Sequence, residues 1–393
     1  MDACRTAVGK FGGSLKPLDA DELAKAVIQG ILKRTNTCPE TIDEVIMGHC
    51  RQTSDFSNTA RIAALKAGIP AEVPCSTVMC ACASGMLAVN NAVNSIATGQ
   101  NEIVLAGGTE SMSNGFFYIS NARWGLGTGT TQLKDCLTEA QFNSQPQDMY
   151  GRFNMGLTAE NIAEKYHITR QEQDEFALRS QERAHHAIDT GRFKDEIIPL
   201  TVTQGRKLPP ITFDTDEFPR ETSMEKLANL KPAFKSDGTV TAGNSSGRND
   251  GASAILLMSE DKAKELGLTP MAYIRTVASV GVDPRYMGLG PVTATKKALK
   301  TAGLSLSDIE LIELNEAFAA QSVACIRQLG LEDRQNIINV NGGAIALGHP
   351  IGSSGCRIIV TLVHEMLKRK LNLGLATLCV AGGMGMATVI EMA

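Results

Sequence analysis

Cys82 is the side chain in this sequence best placed for covalent chemistry. It lies directly before small residues that open an apolar helix, in the stretch 80–89 (CACASGMLAV). The free N–H groups and positive dipole end of a helix N-terminus lower the pKa of a nearby thiol, and the thiolate is the nucleophile. Cys82 is therefore a candidate for covalent catalysis. The alternative is a buried structural thiol, which this stretch alone favours because free cysteine is often buried.

Two later motifs supply polar groups that could act with such a thiol. Asn315 lies in residues 314–318 (LNEAF), where a strand ends and a helix starts, so its amide could hold a water or a carbonyl oxygen. A helix N-cap is the alternative, and is preferred for this motif in isolation. His349 lies in the glycine-rich loop 342–352 (GGAIALGHPIG). An imidazole can take a proton from a thiol, and the flanking glycine and proline favour a site residue over a structural histidine.

A second thiol, Cys379, is expected at a strand end in residues 378–385 (LCVAGGMG). The backbone after it is free to donate hydrogen bonds, and a buried inert cysteine is the alternative. Two thiols, one imidazole and one amide suit acyl transfer coupled to carbon–carbon chemistry. One thiol holds the acyl group, a second base removes a proton beside a carbonyl, and N–H donors stabilise the oxyanions.

These residues need a scaffold that joins distant parts of the chain, and strand and helix patterns alternate as in an α/β fold. Strands are predicted at 44–48, 73–78, 103–108, 252–258, 310–314, 337–340, 375–380 and 386–390. Helices are predicted from Asp19 or Asp21 to Leu32, from Asn58 to Gly68, after Cys82, and at 170–189, 292–302, 316–328 and 352–368. Residues 119–150 and 200–240 are irregular, and long loops are usually functional or contact a partner.

A faint internal repeat relates the two ends of the chain. Residues 84–85 (SG) open an apolar helix, and a strand ending at 106–108 (AGG) follows it. Later in the chain, residues 354–355 open a second apolar helix, and a strand ending at 381–383 follows that helix. Chance similarity is the alternative, but the order of elements matches as well as the letters. Two similar halves would explain the length, with residues 119–250 as an insertion.

Composition excludes several classes of function. The 393 residues are 20% charged with a formal net charge of −4, which offers no basic field for nucleic acid. The ten cysteines are scattered without C-x-x-C spacing, so a zinc site is not expected and reduced thiols are. No apolar run is long enough for a membrane span and no signal peptide is recognised, so a cytoplasmic protein is expected.

Four motifs in combination resemble the thiolase family. They are residues 82–85, 315–318, 348–350 and the loop after Cys379, and residues 106–113, 243–247 and 287–291 fit as well. The resemblance implies an α/β fold of two duplicated βαβαβαββ halves in a five-layered α-β-α-β-α arrangement with an inserted loop domain. The implied divisions are 1–118, the N-terminal half; 119–250, the loop domain for coenzyme A; and 251–393, the C-terminal half. A homotetramer is implied, or a dimer, with part of 119–138 at the tetramer contact.

The resemblance also implies roles for individual residues. Cys82 would attack an acyl-CoA, His349 would accept the thiol proton, and Cys379 would deprotonate a second acetyl-CoA. Asn315 would position a water that forms one oxyanion hole with His349, and the backbone N–H groups of Cys82 and Ala381 would form the other. The substrates implied are acetyl-CoA, acetoacetyl-CoA and CoA, with no metal and no cofactor beyond these thioesters.

Further positions match residues that contact the substrate in the family. Arg220 and Ser246 match contacts to the coenzyme A moiety, and Met287 and Phe234 match residues that crowd the acyl end in short-chain members. Asn154 stands where biosynthetic members commonly carry a histidine, which bears on substrate positioning.

Some features depart from the family pattern. Ala381 replaces a glycine, Cys80 replaces a long polar residue, and the first strand is expected to be largely missing because three residues precede Cys4. The resemblance favours an acyltransferase that condenses two acetyl-CoA molecules to acetoacetyl-CoA and runs the reverse thiolysis. The alternatives are a degradative 3-ketoacyl-CoA thiolase of broader chain length and an inactive thiolase-like binding protein.

Overall fold

Two large β-sheets and three layers of helices form the body of the structure, a computed structural model that describes residues 2–205 and 208–393, and two further sheets have two strands each. The strands are β1 Ala3–Thr6, β2 Gly9–Lys10, β3 Glu44–Gly48, β4 Cys75–Val78, β5 Ile103–Ser111, β6 Phe117–Tyr118, β7 Lys134–Asp135, β8 Ile197–Ile198, β9 Leu200–Val202, β10 Ile211–Phe213, β11 Asn249–Met258, β12 Ala272–Gly281, β13 Leu311–Leu314, β14 Leu373–Val380 and β15 Met384–Met392. The helices are α1 Ala20–Thr35, α2 Thr59–Ala67, α3 Ser84–Ala97, α4 Cys136–Phe142, α5 Gln147–Tyr150, α6 Met155–Lys165, α7 Arg170–Asp189, α8 Met224–Ala228, α9 Glu260–Glu265, α10 Gly290–Ala302, α11 Ala319–Leu329, α12 Ala344–Leu347 and α13 Ile351–Arg369.

The first sheet runs in the order β4-β3-β5-β11-β1-β8, and β2 pairs with β11. β3 is parallel to both β4 and β5, whereas β11 is antiparallel to β5 over nine residue pairs. β5 is buried along its whole length, as expected for a strand covered on both faces.

The second sheet runs in the order β12-β15-β14-β13. β13 and β14 are parallel, and β14, β15 and β12 form an antiparallel series. β14 ends at Val380, so the second predicted thiol, Cys379, lies at the C-terminal end of this strand.

Helices α3 and α13 form the central layer between the two sheets. α1 and α2 cover the outer face of the first sheet, and α10, with α11 beside it, covers the outer face of the second. The order α-β-α-β-α confirms the predicted five-layered α/β fold. A central cluster of buried side chains from α3, α13 and both sheets joins the layers.

Glycines allow the first turns of α3 and α13 to touch. A Cβ at Gly85 would lie 2.9 Å from both the carbonyl oxygen of Gly352 and the backbone nitrogen of Cys356. A Cβ at Gly355 would lie 2.6 Å from the nitrogen of Met86. The backbones can therefore approach this closely only without side chains, and the contact sets the N-termini of the two helices side by side.

Most of the predicted elements are present, but several elements differ from the prediction. Residues 337–340 form no strand: a short 3₁₀ helix ends at Ile337, and Ile338 makes only an isolated bridge to Ile312. Helix α11 begins at Ala319 rather than at residue 316. Strand β12 and helix α6 were not predicted. The first strand, expected to be largely missing, is present as the four residues of β1 and pairs with both β11 and β8.

The inserted segment connects β5 to β11, two neighbouring strands of the first sheet, through short elements and irregular chain. Its longest helix, α7, matches the predicted 170–189 and begins with a capping box between Thr169 and Glu172. β11 starts at Asn249 and lies in the first sheet, although residues 251–258 were assigned to the C-terminal half. The boundaries 1–118, 119–250 and 251–393 stay a prediction. Within residues 2–205 and 208–393, no helix is both long and apolar enough to cross a bilayer.

Candidate active site

A strained turn presents Cys82 at the start of α3. Ala81 has a φ of 43°, a left-handed conformation that is uncommon outside glycine and concentrates at functional sites. Ser84 Oγ donates to the carbonyl of Ala81 at 2.8 Å and accepts the N–H of Cys80 at 2.9 Å. The thiol of Cys50 donates to the same carbonyl at 2.9 Å. These bonds offset the strain and fix the direction of the next side chain, which is that of Cys82.

The environment of Cys82 combines burial with hydrogen-bond donors. Burial raises the pKa of the Cys82 thiol to about 11. The backbone N–H of Ala381, the charge of Arg51 and the N–H of Cys82 itself act in the opposite direction. The thiol is thus neutral at pH 7 and needs a base, while N–H donors already surround the sulfur.

Cys379 lies close enough to Cys82 for the two thiols to influence each other. Its side chain is fully buried, and burial first and the charge of Cys82 second raise the pKa of the Cys379 thiol well above its usual value. A buried thiolate with a raised pKa is a strong base, although only a small fraction is ionised. The structure therefore brings together the two thiols that sequence reasoning selected.

His349 is held as a neutral base. Ser354 Oγ donates to the carbonyl of Pro350 at 2.9 Å, so it can only accept at its 2.6 Å contact with His349 Nδ1. The ring proton is therefore on Nδ1, which leaves the Nε2 lone pair free. Nε2 is buried without a hydrogen-bond partner in the described chain. Burial, followed by the charge of Arg357, lowers the pKa of His349 to about 4.

Asn315 presents an amide with no internal partner. Its side chain is buried, and neither Oδ1 nor Nδ2 has a hydrogen-bond partner among residues 2–205 and 208–393. A buried amide is almost always satisfied, so this one is available to a water or a substrate. The N-cap alternative is wrong, because α11 starts four residues later with Phe318 as its N-cap.

One segment, residues 244–249, contacts the loops that carry both Asn315 and His349. Ser246 N–H donates to the carbonyl of Ala317 at 3.0 Å, and Ser245 bridges Phe318. At its other end, Asn249 Oδ1 accepts the N–H of His349 at 2.9 Å. The loops are thereby fixed relative to each other from a part of the chain far away in sequence.

Two buried glutamates organise these loops, and sequence reasoning missed both roles. Glu110 accepts the N–H groups of Cys50, Arg51 and Gly352, and so joins the loop after β3 to the start of α13. Burial raises the pKa of Glu110, but hydrogen bonding and charge, led by His49, outweigh it and bring the pKa below its usual range. Glu110 belongs to the strand-end motif 106–113. An acidic residue so close to an apolar strand could have indicated a buried, hydrogen-bonded carboxylate.

Glu316 is the second organising carboxylate. It accepts hydrogen bonds from Ser180 Oγ at 2.6 Å, Asn339 Nδ2 at 2.8 Å and the N–H of Ile345 at 3.2 Å. These partners come from α7, the loop after residue 337 and the start of the His349 loop. Glu316 therefore fixes the loop that carries His349 from the residue next to Asn315.

The residues predicted to contact the acyl end share a cluster with Cys379. Met287 is buried and packs with Cys379 and Phe318. Phe234 packs against the same cluster and meets Phe318 edge-to-face, with the ring centroids 6.1 Å apart. These apolar side chains therefore lie at the second thiol.

The residues predicted to contact the coenzyme A moiety both lie in the inserted segment 119–250. Arg220 is exposed, its guanidinium lies over the ring of Phe218, and Nη2 reaches the carbonyl of Ala242 at 3.4 Å. Ser246 is partly buried in the loop 241–247. Asn154 has a structural use, because its Oδ1 caps α6 by accepting the N–H of Leu157 at 3.0 Å.

A cavity of about 830 Å³ adjoins the nucleophile turn. Ala81 and Ala381, on either side of Cys82, both line it. Its other lining residues include apolar side chains from three separate parts of the chain, among them Met79, Phe116 and Met384. There is thus open space beside the turn that precedes Cys82.

The arrangement can perform acyl transfer through a thioester on Cys82. A nucleophilic thiol lies near a second thiol that is a strong base, and the loops beside them carry a buried neutral imidazole with a free lone pair and a buried unpartnered amide. In the described part of the chain, no group of His, Cys, Asp and Glu side chains could hold a metal ion.

Comparison with known proteins agrees with this chemistry. Residues 1–261 match the family described as "Thiolase, N-terminal domain", and residues 268–392 match "Thiolase, C-terminal domain". The chain is 51% identical to an acetyl-CoA acetyltransferase of Syntrophomonas wolfei over 391 residues, which is 100% of this chain and 98% of the relative.

Solved structures resemble the whole chain as well. The acetyl-CoA acetyltransferase of Bacillus anthracis superposes with a TM-score of 0.95 at 47% identity, covering 100% of this chain and 98% of the other. The human mitochondrial 3-ketoacyl-CoA thiolase in complex with CoA gives a TM-score of 0.93 at 43% identity, covering 100% and 97%.

Proposed function

This chain belongs to the thiolase family, and on that basis we propose that it is an acetyl-CoA C-acetyltransferase. It condenses two acetyl-CoA molecules to acetoacetyl-CoA and CoA, and it runs the reverse thiolysis. The observation that carries the proposal is the pairing of a Cys82 thiol that the backbone N–H of Ala381 approaches with a buried Cys379 thiol near enough for the charge of Cys82 to raise its pKa. The full-length similarity to acetyl-CoA acetyltransferases supports it.

In the first half-reaction, Cys82 takes the acetyl group. Its sulfur attacks the thioester carbonyl of acetyl-CoA while His349 Nε2 accepts the thiol proton. The tetrahedral intermediate collapses, and the CoA sulfur leaves with that proton. Because burial lowers the pKa of His349 to about 4, the imidazole is neutral at every physiological pH, and its Nε2 lone pair is free for the proton.

In the second half-reaction, Cys379 acts as a base. Its thiolate removes a proton from the methyl carbon of a second acetyl-CoA, and the resulting carbanion attacks the acetyl carbonyl on Cys82. Acetoacetyl-CoA leaves, and the Cys82 sulfur takes the proton back from Cys379. The raised pKa of Cys379 increases its basicity toward a carbon acid.

Two sets of donors stabilise the oxyanions. The N–H groups of Cys82 and Ala381 already point at the Cys82 sulfur, so a carbonyl oxygen on the acylated thiol would lie within their reach. Asn315, through a water, and His349 would stabilise the enolate of the second acetyl-CoA. Their unpartnered polar atoms support this assignment. The scheme requires no metal or additional cofactor.

Arg220 and Ser246 would bind the CoA moiety, and Met287 and Phe234 would close the acyl end. CoA in the related human structure supports this substrate class. Asn154 would border the site from the start of α6. Ala381 stands where the family pattern has a glycine, and it lines the cavity beside the nucleophile turn.

A homotetramer is part of the proposal, with a dimer as the alternative. The segment 116–133 exposes large apolar side chains, including Trp124 at 88%, Leu133 at 64% and Phe117 at 61%. Contiguous apolar exposure of this kind marks protein–protein contacts. We further propose a cytoplasmic location, since all ten cysteines are free, as in a reducing compartment.

A degradative 3-ketoacyl-CoA thiolase is the second candidate, favoured by the cavity beside Cys82 and by the human relative. Thiolysis of acetoacetyl-CoA alongside 3-ketoacyl-CoA substrates of increasing length decides between them. The short-chain proposal expects the highest kcat/KM for acetoacetyl-CoA. Faster turnover of long substrates would replace it with the degradative reading.

An inactive thiolase-like binding protein is the remaining alternative. Incubation with radiolabelled acetyl-CoA followed by peptide mapping tests it, and the proposal expects label on Cys82. Folded protein without label on Cys82 would favour the binding protein.

A further inference from the structure

Three buried side chains that the proposed mechanism does not use form a linked series. His49 Nδ1 lies 2.9 Å from Thr59 Oγ1, and His49 Nε2 lies 3.3 Å from Glu110 Oε1. His49 is 3% exposed, and the other two residues are fully buried. A carboxylate can only accept hydrogen bonds, so Nε2 carries a proton toward it. The imidazole is thus fixed between partners on two different elements, α2 and β5.

Glu110 joins His49 to the turn that presents Cys82. Glu110 Oε2 accepts the N–H of Cys50 at 3.2 Å, and the Cys50 thiol donates to the carbonyl of Ala81 at 2.9 Å. Ala81 directly precedes Cys82 and has the left-handed φ of 43°. A shift of the carboxylate would therefore reach the strained residue that sets the direction of the nucleophile.

The same carboxylate joins His49 to the loop of His349. Glu110 Oε2 accepts the N–H of Gly352 at 2.8 Å, in the first turn of α13. Ser354 lies in that turn, and its Oγ contacts His349 Nδ1 at 2.6 Å and so fixes the imidazole. One buried side chain therefore sets the turn of the nucleophile and the loop of the base relative to each other.

His49 keeps Glu110 in the charged form that accepts hydrogen bonds strongly. Burial raises the pKa of Glu110, but hydrogen bonding and charge, led by His49, bring the pKa below its usual range. Hydrogen bonds to a charged carboxylate are about twice as strong as those to a neutral group. Without the imidazole, Glu110 would lose a side-chain partner, and its hold on the N–H groups of both loops would weaken.

Resting on the proposed thiolase chemistry, we propose that His49 is a positioning residue for the acylation of Cys82. It acts through Glu110, which places the Cys82 thiol and the ring of His349 for transfer of the thiol proton. A misplacement of about 1 Å can lower a rate about 10²-fold. The imidazole should therefore affect the rate of acylation and leave the binding of acetyl-CoA unchanged, because the predicted contacts to CoA lie in the inserted segment.

The rate at which radiolabelled acetyl-CoA acetylates Cys82, followed by peptide mapping, tests the proposal. His49→Leu should lower this rate at saturating acetyl-CoA about tenfold or more and leave the half-saturating concentration nearly unchanged. His49→Gln, whose amide can donate to Glu110 in place of Nε2, should recover most of the rate.

His364→Leu is the matched control for loss of a buried histidine. His364 is also buried, but it lies toward the C-terminal end of α13 and donates from Nε2 to the carbonyl of Ala3 at 2.7 Å. Its replacement should leave the acetylation rate of the folded protein unchanged. An equal loss of rate in His364→Leu and His49→Leu would overturn the proposal, because it would show a general effect on packing.

A double-mutant cycle tests the route through Glu110. Glu110→Gln should itself slow acetylation of Cys82, and adding His49→Leu to it should lower the rate little further, because the two residues act in one series. Losses that multiply as for independent residues would contradict that route and overturn the proposal.

Wild-type labelling separates the two levels. Label on Cys82 in the wild type at a rate that His49→Leu does not change refutes only the role of His49, whereas folded wild type without label refutes the proposed function as well. If His49→Leu does not fold, Thr59→Val decides, because it removes the hydroxyl that contacts Nδ1 and keeps the shape of the side chain. Thr59→Val should slow acetylation, and a rate equal to that of the wild type would overturn the proposal.

Discussion

Cys82 and Cys379 have different tasks in the proposed reaction, and their environments differ accordingly. Cys82 is partly buried and surrounded by N–H donors, whereas Cys379 is fully buried among Met287 and Phe318. The first environment suits a thiol that carries an acyl group, and the second suits a thiolate that acts as a base.

We expect a pair of substitutions to separate these tasks. Cys379→Ala should still form acetyl-Cys82 from radiolabelled acetyl-CoA but should lower the rate of condensation by about 10³-fold or more, because it lacks the base. Cys82→Ala should lose both. Peptide mapping measures acetyl transfer to Cys82, and the release of CoA measures condensation. Loss of labelling in folded Cys379→Ala would contradict the division of roles.

The pKa values of Cys82 and His349 predict a characteristic pH dependence. A thiol with a pKa of about 11 is mostly protonated below that pH, so its thiolate fraction rises about tenfold per pH unit. Alkylation of Cys82 by iodoacetamide should therefore accelerate continuously from pH 7 to pH 10. His349, with a pKa of about 4, should add no inflection near 6.5.

Peptide mapping after each alkylation measures this rate at Cys82, with the exposed Cys38 as the reference in the same digest. A plateau of the Cys82 rate between pH 7 and pH 8 would show a thiolate already formed at rest. The proposed need for His349 as a base would then be wrong.

Local motifs at the residue scale predicted the chemistry but not what fixes it. Cys82, His349 and Cys379 were chosen because small residues and strand or helix ends adjoin them, and the structure places Cys82 and Cys379 together. Cys50 and Glu110 were not chosen, because their hydrogen-bond partners are in other loops and local patterns cannot show such pairings.

The helices and strands that were predicted correctly are those whose apolar residues form a continuous run or a clear period. β5, β14 and α13 show continuous or periodic apolar residues, and their bounds match closely. Residues 337–340 look like a strand because Ile337, Ile338 and Val340 are apolar, but Asn339 has a φ of 46° and its side chain bonds Leu314 instead of extending a sheet. β12 was missed because polar residues interrupt its apolar pattern, and eight of its ten residues are exposed or only partly buried.

The contact of α13 with β5 predicts a large effect of a single methyl group. A Cβ at Gly108 would lie 2.0 Å from the carbonyl oxygen of Gly352, which belongs to a helix backbone and cannot rotate away. We expect Gly108→Ala to lower the free energy of unfolding by about 1–3 kcal/mol or more, as for other overpacked sites. Urea denaturation followed by circular dichroism measures the loss.

Gly281→Ala is the matched control, because a Cβ at this strand glycine has its nearest neighbour at 4.0 Å. It should change the free energy of unfolding by no more than about 0.5 kcal/mol. Equal effects of the two substitutions would mean that loss of glycine in a strand, and not the helix contact, sets the cost.

At the scale of the whole molecule, buried charges link the layers. Arg5, from β1, pairs with Glu196 and Asp216, at 2.6 and 2.7 Å, and all three side chains are buried. Glu313 on β13 faces the buried guanidinium of Arg357 on α13, yet burial raises the pKa of Glu313 to about 8 despite that charge. The contact between the second sheet and α13 therefore contains a carboxyl group that is protonated at neutral pH.

This carboxyl group should make the stability of the whole protein depend on pH. A carboxyl pKa that is higher in the folded than in the unfolded chain contributes stability that is lost as the pH rises through the folded value. The melting temperature should therefore fall between pH 6 and pH 9, and Glu313→Gln, which stays neutral, should reduce this fall. Thermal unfolding followed by fluorescence at both pH values measures the difference.

Glu332→Gln, at an exposed position, provides the control and should leave the fall unchanged. If Glu313→Gln shows the same fall as the parent chain, Glu313 is not the group responsible.

The position of β11 has a consequence for how this chain matures. β11 lies between β5 and β1 in the first sheet, yet 137 residues separate the end of β5 at Ser111 from its first residue, Asn249. During synthesis on the ribosome, β1 and β5 therefore emerge long before the strand that joins them. The nascent chain must carry two unpaired strand edges through that interval, and such edges are where newly made proteins aggregate. Chaperone occupancy should be highest while the inserted segment is being translated.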